Sequence, residues 1–83
     1  MQWQTHIEQN PAVMGGKPVI KGTRITVAHI LELLGNGWPT TDVIDSCPGL
    51  TPTDIQAAQA YAAAYIDLDE TVFFHGDSLE AAR

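Results

Sequence analysis

Basic side chains are scarce in this chain of 83 residues, and three of its four lysines and arginines lie in one glycine-rich stretch, at Lys17, Lys21 and Arg24. Clustered cations of this kind hold phosphate oxygens, which would make the stretch a nucleic-acid contact. The alternative is structural, with Arg24 tying loop carbonyls and a carboxylate together while the lysines are solvated. Both interpretations stay open at the level of sequence.

The chain offers little for catalysis. No serine or cysteine stands near a histidine in the pattern of an activated nucleophile, and Gly15-Gly16-Lys17 lacks the spacing and the following Ser or Thr of a phosphate-binding loop. The single cysteine, Cys47, excludes an internal disulfide framework and is expected to be a buried apolar side chain. The histidines are far apart in sequence. We therefore expect no enzymatic activity, no metal site and no cofactor.

Charge divides the chain into two unlike halves. Residues 1–40 carry a formal charge of +1, whereas residues 41–83 carry −7, within a net charge of −6. An acidic half is a poor ligand for nucleic acid and favours a basic protein partner. With no signal peptide and no long apolar run, we expect a cytoplasmic protein without membrane contact.

The elements around the basic stretch are predicted from short local signals. Alternating polarity over residues 3–7 predicts an edge strand. The β-branched pieces Val19-Ile20 and 23–25, joined through Lys21-Gly22, predict a small hairpin. Thr26 is then the expected N-cap of a first helix from about Val27 to Leu34. A positively charged ribbon thus leads directly into a helix.

Two further helices are predicted. The segment 35–37 ends the first helix, and Thr40 or Thr41 is expected to cap a short second helix with Val43 and Ile44 facing inward. Trp38 is expected to fill the core between these helices. The third helix has the clearest start, with Thr51 as N-cap, Pro52 at the first position and Asp54 at the third, and runs to about Leu68.

The third helix carries two apolar stripes, more than one small core requires. The first stripe comprises Ile55, Ala58, Ala62 and Ile66. The second is predicted to be a homodimer contact and comprises Ala57, Tyr61, Ala64, Tyr65 and Leu68. We divide the chain into a domain of residues 1–68 and a C-terminal tail of residues 69–83. In the tail, Phe73 and Phe74 are expected to bind a partner or to dock on their own domain.

Three segments together resemble one known family. They are GGKPVIKGTRITV, LELLGNGWPTTDVI and PGLTPTDIQAAQAYA, and the resemblance to domain of unknown function 433 covers about residues 5–66. It implies a mainly α fold, in which an N-terminal β-ribbon precedes a three-helix, homeodomain-like or winged helix-turn-helix domain. It also implies an antitoxin role beside a toxin that resembles PIN-domain ribonucleases.

Two functions follow as hypotheses. The first is an antitoxin-like homodimer whose acidic half covers the basic cleft of a toxin encoded by the adjacent gene. The alternative is a DNA-binding autoregulator that holds operator phosphates with Lys17, Lys21 and Arg24. Base readout by the third helix would fall to Gln56 and Gln59. It is disfavoured, because acidic side chains on the second and third helices repel DNA, among them the aspartate of the third helix's first turn.

Overall fold

The computed structural model describes the backbone of residues 1–70 and the side chains of residues 1–66. A two-stranded antiparallel sheet precedes the α-helices, with β1 at Ile7–Glu8 and β2 at Val19–Ile20. Three helices follow it: α1 at Val27–Gly35, α2 at Thr40–Ser46 and α3 at Pro52–Glu70. The predicted fold class, mainly α with an N-terminal β-ribbon, is therefore confirmed. The third helix continues two residues beyond its predicted end.

The two strands of the sheet come from distant parts of the N-terminal segment. Ile7 pairs with Ile20 and Glu8 pairs with Val19. The predicted hairpin is wrong in its second arm, because the chain after Gly22 contributes only a single pair, Val19 with Thr26, to the ribbon. A tight turn takes the place of that arm.

The side chain of Thr23 explains this turn. Its hydroxyl donates to the Ile20 carbonyl at 2.8 Å and accepts from the Ile25 amide at 3.0 Å. Gly22 adopts a φ of +81°, a backbone conformation that residues with a Cβ rarely accept. Local hydrogen bonds of this kind compete with a strand ladder and hold the chain in a turn.

The predicted edge strand over residues 3–7 is also wrong in its first part. Trp3–Thr5 forms a short 3₁₀ helix, closed by the His6 amide donating to the Trp3 carbonyl at 2.8 Å. Only Ile7, of the predicted strand residues, lies in β1. The turn places the Trp3 ring against α3, where a strand would have aligned it with the sheet.

Helix α1 has the predicted start and a well-formed end. The Thr26 hydroxyl accepts from the His29 amide at 3.0 Å, which confirms it as the N-cap. At the other end the Trp38 amide donates to the Leu33 carbonyl at 3.1 Å and the Gly37 amide to the Leu34 carbonyl at 3.0 Å. These two bonds form a Schellman motif, in which Gly37 adopts the left-handed backbone conformation.

The end of α1 yields a prediction with a built-in control. Gly37 has a φ of +93°, whereas Gly35 lies in the helix, and neither has an atom within 4 Å of an added Cβ. Gly37→Ala should therefore lower the free energy of unfolding by about 1 kcal/mol through backbone strain alone. Gly35→Ala should raise it by roughly 0.5–1 kcal/mol. Urea denaturation of both variants checks the pair, and shifts of the same sign would contradict it.

The start of α2 differs from the prediction. The helix begins at Thr40, so the hydroxyls of Thr40 and Thr41 lie inside the first turn, and the cap position is held by Pro39 without a side-chain bond. Val43 is buried as expected and Ile44 is half-buried.

Trp38 is 41% exposed and does not fill the core. The Schellman motif fixes its backbone at the end of α1, and its side chain lies at the surface.

The start of α3 is a reciprocal cap. The Thr51 hydroxyl accepts from the Asp54 amide at 3.2 Å, while the Asp54 carboxylate accepts from the Thr51 amide at 3.1 Å. This is a capping box with aspartate in the position usually taken by glutamate or glutamine. The predicted start of α3 is therefore confirmed. Before it, the Leu50 amide closes a turn onto the Cys47 carbonyl at 3.0 Å.

One core holds the sheet and the three helices together. Val43 and Ile30 are fully buried, and Cys47 is buried as predicted. Apolar burial of this kind is the main favourable term in folding. The cluster consists of Ile7, Ile20, Val27, Ile30, Val43, Cys47, Leu50, Ile55, Ala57 and Ala58. Among residues 1–70, no helix has the length and apolar character needed to cross a bilayer.

Candidate functional site

The first candidate surface is the basic loop, which we define as residues 17–24. Lys17, Lys21 and Arg24 are all exposed in it. Within the part of the chain whose side chains are described, none of the three has a carboxylate within 4.0 Å. The salt bridge considered for Arg24 is therefore not formed inside residues 1–66. In this region the loop presents its cations to solvent.

The basic loop is attached to the start of α3 through one histidine. The Lys21 amide donates to the His6 carbonyl at 2.8 Å, continuing the register of the sheet by one residue. The His6 ring in turn lies 3.2 Å from the Asp54 carboxylate, measured from Nδ1 to Oδ1. Because an ionised carboxylate only accepts hydrogen bonds, Nδ1 of His6 carries the proton and donates. Loop, strand and helix start are thereby held together.

Asp54 lies in a different place from the one expected. Its residue is only 9% exposed, and its two carboxylate oxygens are used by His6 and by the Thr51 amide. The sequence-based expectation placed this charge where a DNA phosphate would approach. In the fold the charge points into the chain, since the capping box and the histidine both draw it inward. The neighbouring Gln56 and Gln59 are exposed.

The second candidate surface is the aromatic cluster, which we define as Trp3, Tyr61 and Tyr65. The Trp3 and Tyr61 rings meet edge to face, with centroids 4.9 Å apart at 88°. The Tyr61 and Tyr65 rings are tilted, with centroids 4.6 Å apart. Beside the cluster Ile66 is 54% exposed, and Tyr65 itself is 48% exposed. The cluster therefore joins the N-terminal 3₁₀ helix to α3 and leaves an apolar edge in solvent.

The packing of the aromatic cluster disfavours the ionised form of the Tyr61 phenol. Burial raises the pKa of Tyr61 above its ordinary value of 10.0, and the neighbouring Tyr65 raises it further. Because the pKa of Tyr61 is higher in the folded chain than in the unfolded chain, the protonated phenol contributes fully to stability at pH values below 10.0. This contribution is lost as the pH rises through the pKa of the folded chain. The Tyr61 phenol therefore stays uncharged at neutral pH. An uncharged aromatic surface suits a protein partner better than a phosphate backbone.

The predicted dimer stripe is divided by the fold. Ala57 is fully buried among the chain's own core residues, so its assignment to a dimer interface is wrong. The reason is that α3 contacts α1 and β1, and Ala57 belongs to the core cluster of buried residues. Tyr61 is half-buried beneath Trp3, whereas Ala64 and Tyr65 are exposed and remain available to a second chain.

Three residues that were predicted to contact a second chain or a partner lie outside the part of the chain whose side chains are described. Leu68 lies beyond the residues whose side chains are described, and Phe73 and Phe74 lie beyond the described chain altogether. Within the described residues, no group of three or more His, Cys, Asp or Glu side chains is arranged to hold a metal ion.

Sequence reasoning missed the pair of His6 and Asp54. The two residues are 48 positions apart, and neither has a local pattern that points to the other. The capping signal at Thr51 identified the place of Asp54 in the helix but not its second partner. A partner of this kind is set by the packing of β1 against α3, which no short-range pattern encodes.

Comparison with known proteins gives related chains. An uncharacterized protein y4eO from Sinorhizobium fredii (strain NBRC 101917 / NGR234) is 29% identical over 58 residues, which make up 70% of this chain and 26% of that protein. A crystal structure at 2.00 Å of a DUF433 member from Anabaena variabilis ATCC 29413 is similar with a TM-score of 0.65 and 31% identity. That similarity covers 82% of this chain and 63% of the other.

The chain thus spans about a quarter of the curated relative's length, 26%. The sequence model of a family described as protein of unknown function, DUF433, matches residues 7–62, which include both strands and most of the three helices. The match extends over more than half of the chain and contains the basic loop, the capping box and the core. On these grounds the chain belongs to the DUF433 family.

Proposed function

We propose that this protein is an antitoxin-like binding protein that neutralises a PIN-like ribonuclease toxin encoded by the adjacent gene. In this role it covers the basic RNA-binding cleft of the toxin, and inhibition needs no chemistry from this chain. The observation that carries the proposal is the exposed apolar edge of α3, at Tyr65 and Ile66, in the strongly acidic half of the sequence.

Charge supports a basic partner. Residues 41–83 carry −7, and a basic RNA-binding cleft has the complementary sign. Asp42 and Asp45 are exposed on α2. Such fields speed the encounter of two proteins and exclude partners of like charge more than they add affinity. The affinity must therefore come mainly from apolar contacts.

Apolar contacts are supplied by the end of α3. Tyrosine is among the residues that most often dominate binding energy, because it buries a large rigid ring and still offers a hydroxyl. Tyr65 packs against Tyr61 on one side, so part of its conformational freedom is already restricted before binding. The sequence adds Phe73 and Phe74 in the tail as further apolar anchors for a partner.

We include a homodimer in this proposal. The exposed stripe of Ala64 and Tyr65, extended by Leu68 in the sequence, would join two copies along α3. The toxin would contact the acidic half and the tail of this chain, and on α3 it would replace the second copy, because both would use the stripe that contains Tyr65. Light scattering of the free protein tests this part, because a dimer has about twice the chain mass of 9.0 kDa.

The main test is binding to the product of the adjacent gene. The two proteins should elute together in size exclusion, and the complex should suppress ribonuclease activity. Tyr65→Ala should weaken the complex by about thirtyfold or more, as expected for the loss of roughly 2 kcal/mol at a central aromatic contact. Gln59→Ala, an exposed polar change on the same helix, should alter affinity by less than about twofold. Separate elution at micromolar concentrations would show the proposal to be wrong.

A second function, operator DNA binding, is favoured by one further observation. The basic loop is attached through His6 to the start of α3, the helix that would enter a groove in a helix-turn-helix domain. Lys17, Lys21 and Arg24 would hold phosphates, while Gln56 and Gln59 would face bases. A duplex from the protein's own promoter should bind at low salt, with affinity that falls steeply as salt rises. Absence of binding at about 50 mM salt would remove this function.

A further inference from the structure

The charge of Asp54 is the feature of α3 that a DNA backbone would meet least favourably. It lies in the first turn of the helix and is linked to the basic loop through His6, whose ring contacts Asp54 and whose carbonyl accepts from the Lys21 amide. A carboxylate exposed there would repel phosphates and oppose the attraction of the cations in the basic loop. The fold instead holds the side chain inside, with both oxygens engaged. The two hydrogen-bond partners of the carboxylate are His6 and Thr51.

The two partners of Asp54 have different roles. The Thr51 amide belongs to the capping box, so its bond to Oδ2 is made by the helix itself. His6 belongs to the N-terminal segment, and its bond to Oδ1 draws the carboxylate toward the sheet. A capping aspartate without the histidine would keep one oxygen free to turn toward solvent. The histidine is therefore what keeps the second oxygen covered.

We propose that His6 is a positioning residue of the DNA-binding surface. Its Nδ1–H holds the Asp54 carboxylate inside the chain, so that this charge is turned away from the phosphates of duplex DNA when the start of α3 and the basic loop approach them. The inference rests on the DNA-binding function proposed above. In it, His6 controls the direction of a negative charge near the DNA and need not touch the DNA itself. The same residue also places the loop, since its carbonyl accepts from the Lys21 amide.

The backbone and side-chain roles of His6 are separable. Its carbonyl bond to Lys21 does not depend on the side chain, so a substitution leaves the loop attached to the sheet. His6→Ala therefore removes only the ring from Asp54. His6→Asn retains an N–H donor close to the position of Nδ1 and should keep the carboxylate covered. Asp54→Asn removes the charge and still leaves an oxygen to accept from Thr51.

The experiment measures the affinity of the full chain for a short promoter duplex at low salt, by fluorescence anisotropy. His6→Ala should weaken binding by about threefold to tenfold, whereas His6→Asn should bind like the wild type. His29→Ala, an exposed histidine on α1, serves as the matched control and should change affinity by less than about twofold. The double variant His6→Ala with Asp54→Asn should regain wild-type affinity. Circular dichroism at low temperature confirms that each variant is folded.

The possible results separate the inference from the function on which it rests. If the wild type binds with a steep salt dependence and His6→Ala binds equally well, DNA binding stands and the role of His6 is wrong. If the double variant stays as weak as His6→Ala, the histidine acts by direct contact and the positioning role is again wrong. If the wild type binds no duplex at low salt, the DNA-binding function fails and the inference falls with it.

Discussion

Ile30→Ala should destabilise the protein by about 3 kcal/mol, within the usual range of roughly 2–5 kcal/mol for a fully buried aliphatic side chain. Ile30 has no exposed surface and lies in α1 within the core cluster. A domain of this size has roughly 4–12 kcal/mol of total stability, so the loss is a large share of it. The melting temperature should fall by roughly 10–25 °C, measured by circular dichroism.

The chain offers a control with the same chemical change. Ile66→Ala removes the same atoms from α3, where the side chain is 54% exposed. Its free energy of unfolding should change by no more than about 0.5 kcal/mol. Equal destabilisation by the two substitutions would contradict the placement of Ile30 at the centre of the core and Ile66 at the surface.

Asp54→Ala should cost about 2 kcal/mol, which is large for a single acidic residue. The substitution removes the acceptor of the Thr51 amide and leaves the His6 ring without its partner. It therefore loosens the helix start and the N-terminal segment together. Urea denaturation measures the loss, and protection of the Thr51 amide from hydrogen exchange should fall in parallel.

Two further variants separate the causes of this loss. Asp45→Ala removes an exposed carboxylate from α2 and should change stability by no more than about 0.5 kcal/mol. Asp54→Asn keeps an oxygen for Thr51 and should retain more stability than Asp54→Ala. If Asp54→Ala proves as mild as Asp45→Ala, the carboxylate does not join α3 to the N-terminal segment as the distances indicate.

Much of the helical architecture is readable from short segments. Thr26 and Thr51 are N-caps as predicted, and the turn at Gly37 ends α1, because caps depend on a few consecutive residues. The two wrong predictions of secondary structure named next also concern a few consecutive residues. Thr40 lies one position too late to cap α2, and the hydroxyl of Thr23 forms a turn where a strand was predicted.

The candidate surfaces were predicted less completely. The exposure of Lys17, Lys21 and Arg24 agrees with their polar character, which any fold tends to leave at the surface. Ala57 and Trp38 exchange the expected places, since the small residue is buried and the large one is half in solvent. Helical periodicity shows which residues share a face of a helix. When a helix has two apolar faces, periodicity does not show which of them is buried in the core.

Residue order alone thus accounts for the family, the mainly helical class, the starts of α1 and α3 and the division of charge between the halves, because each depends on composition or on neighbours in the chain. The packed fold decided that β1 pairs with β2, that Trp3 lies on Tyr61, and that His6 draws Asp54 inward. These contacts join residues far apart in the chain. Their geometry is set by how the N-terminal segment closes over α3, and that closure is a property of the whole core.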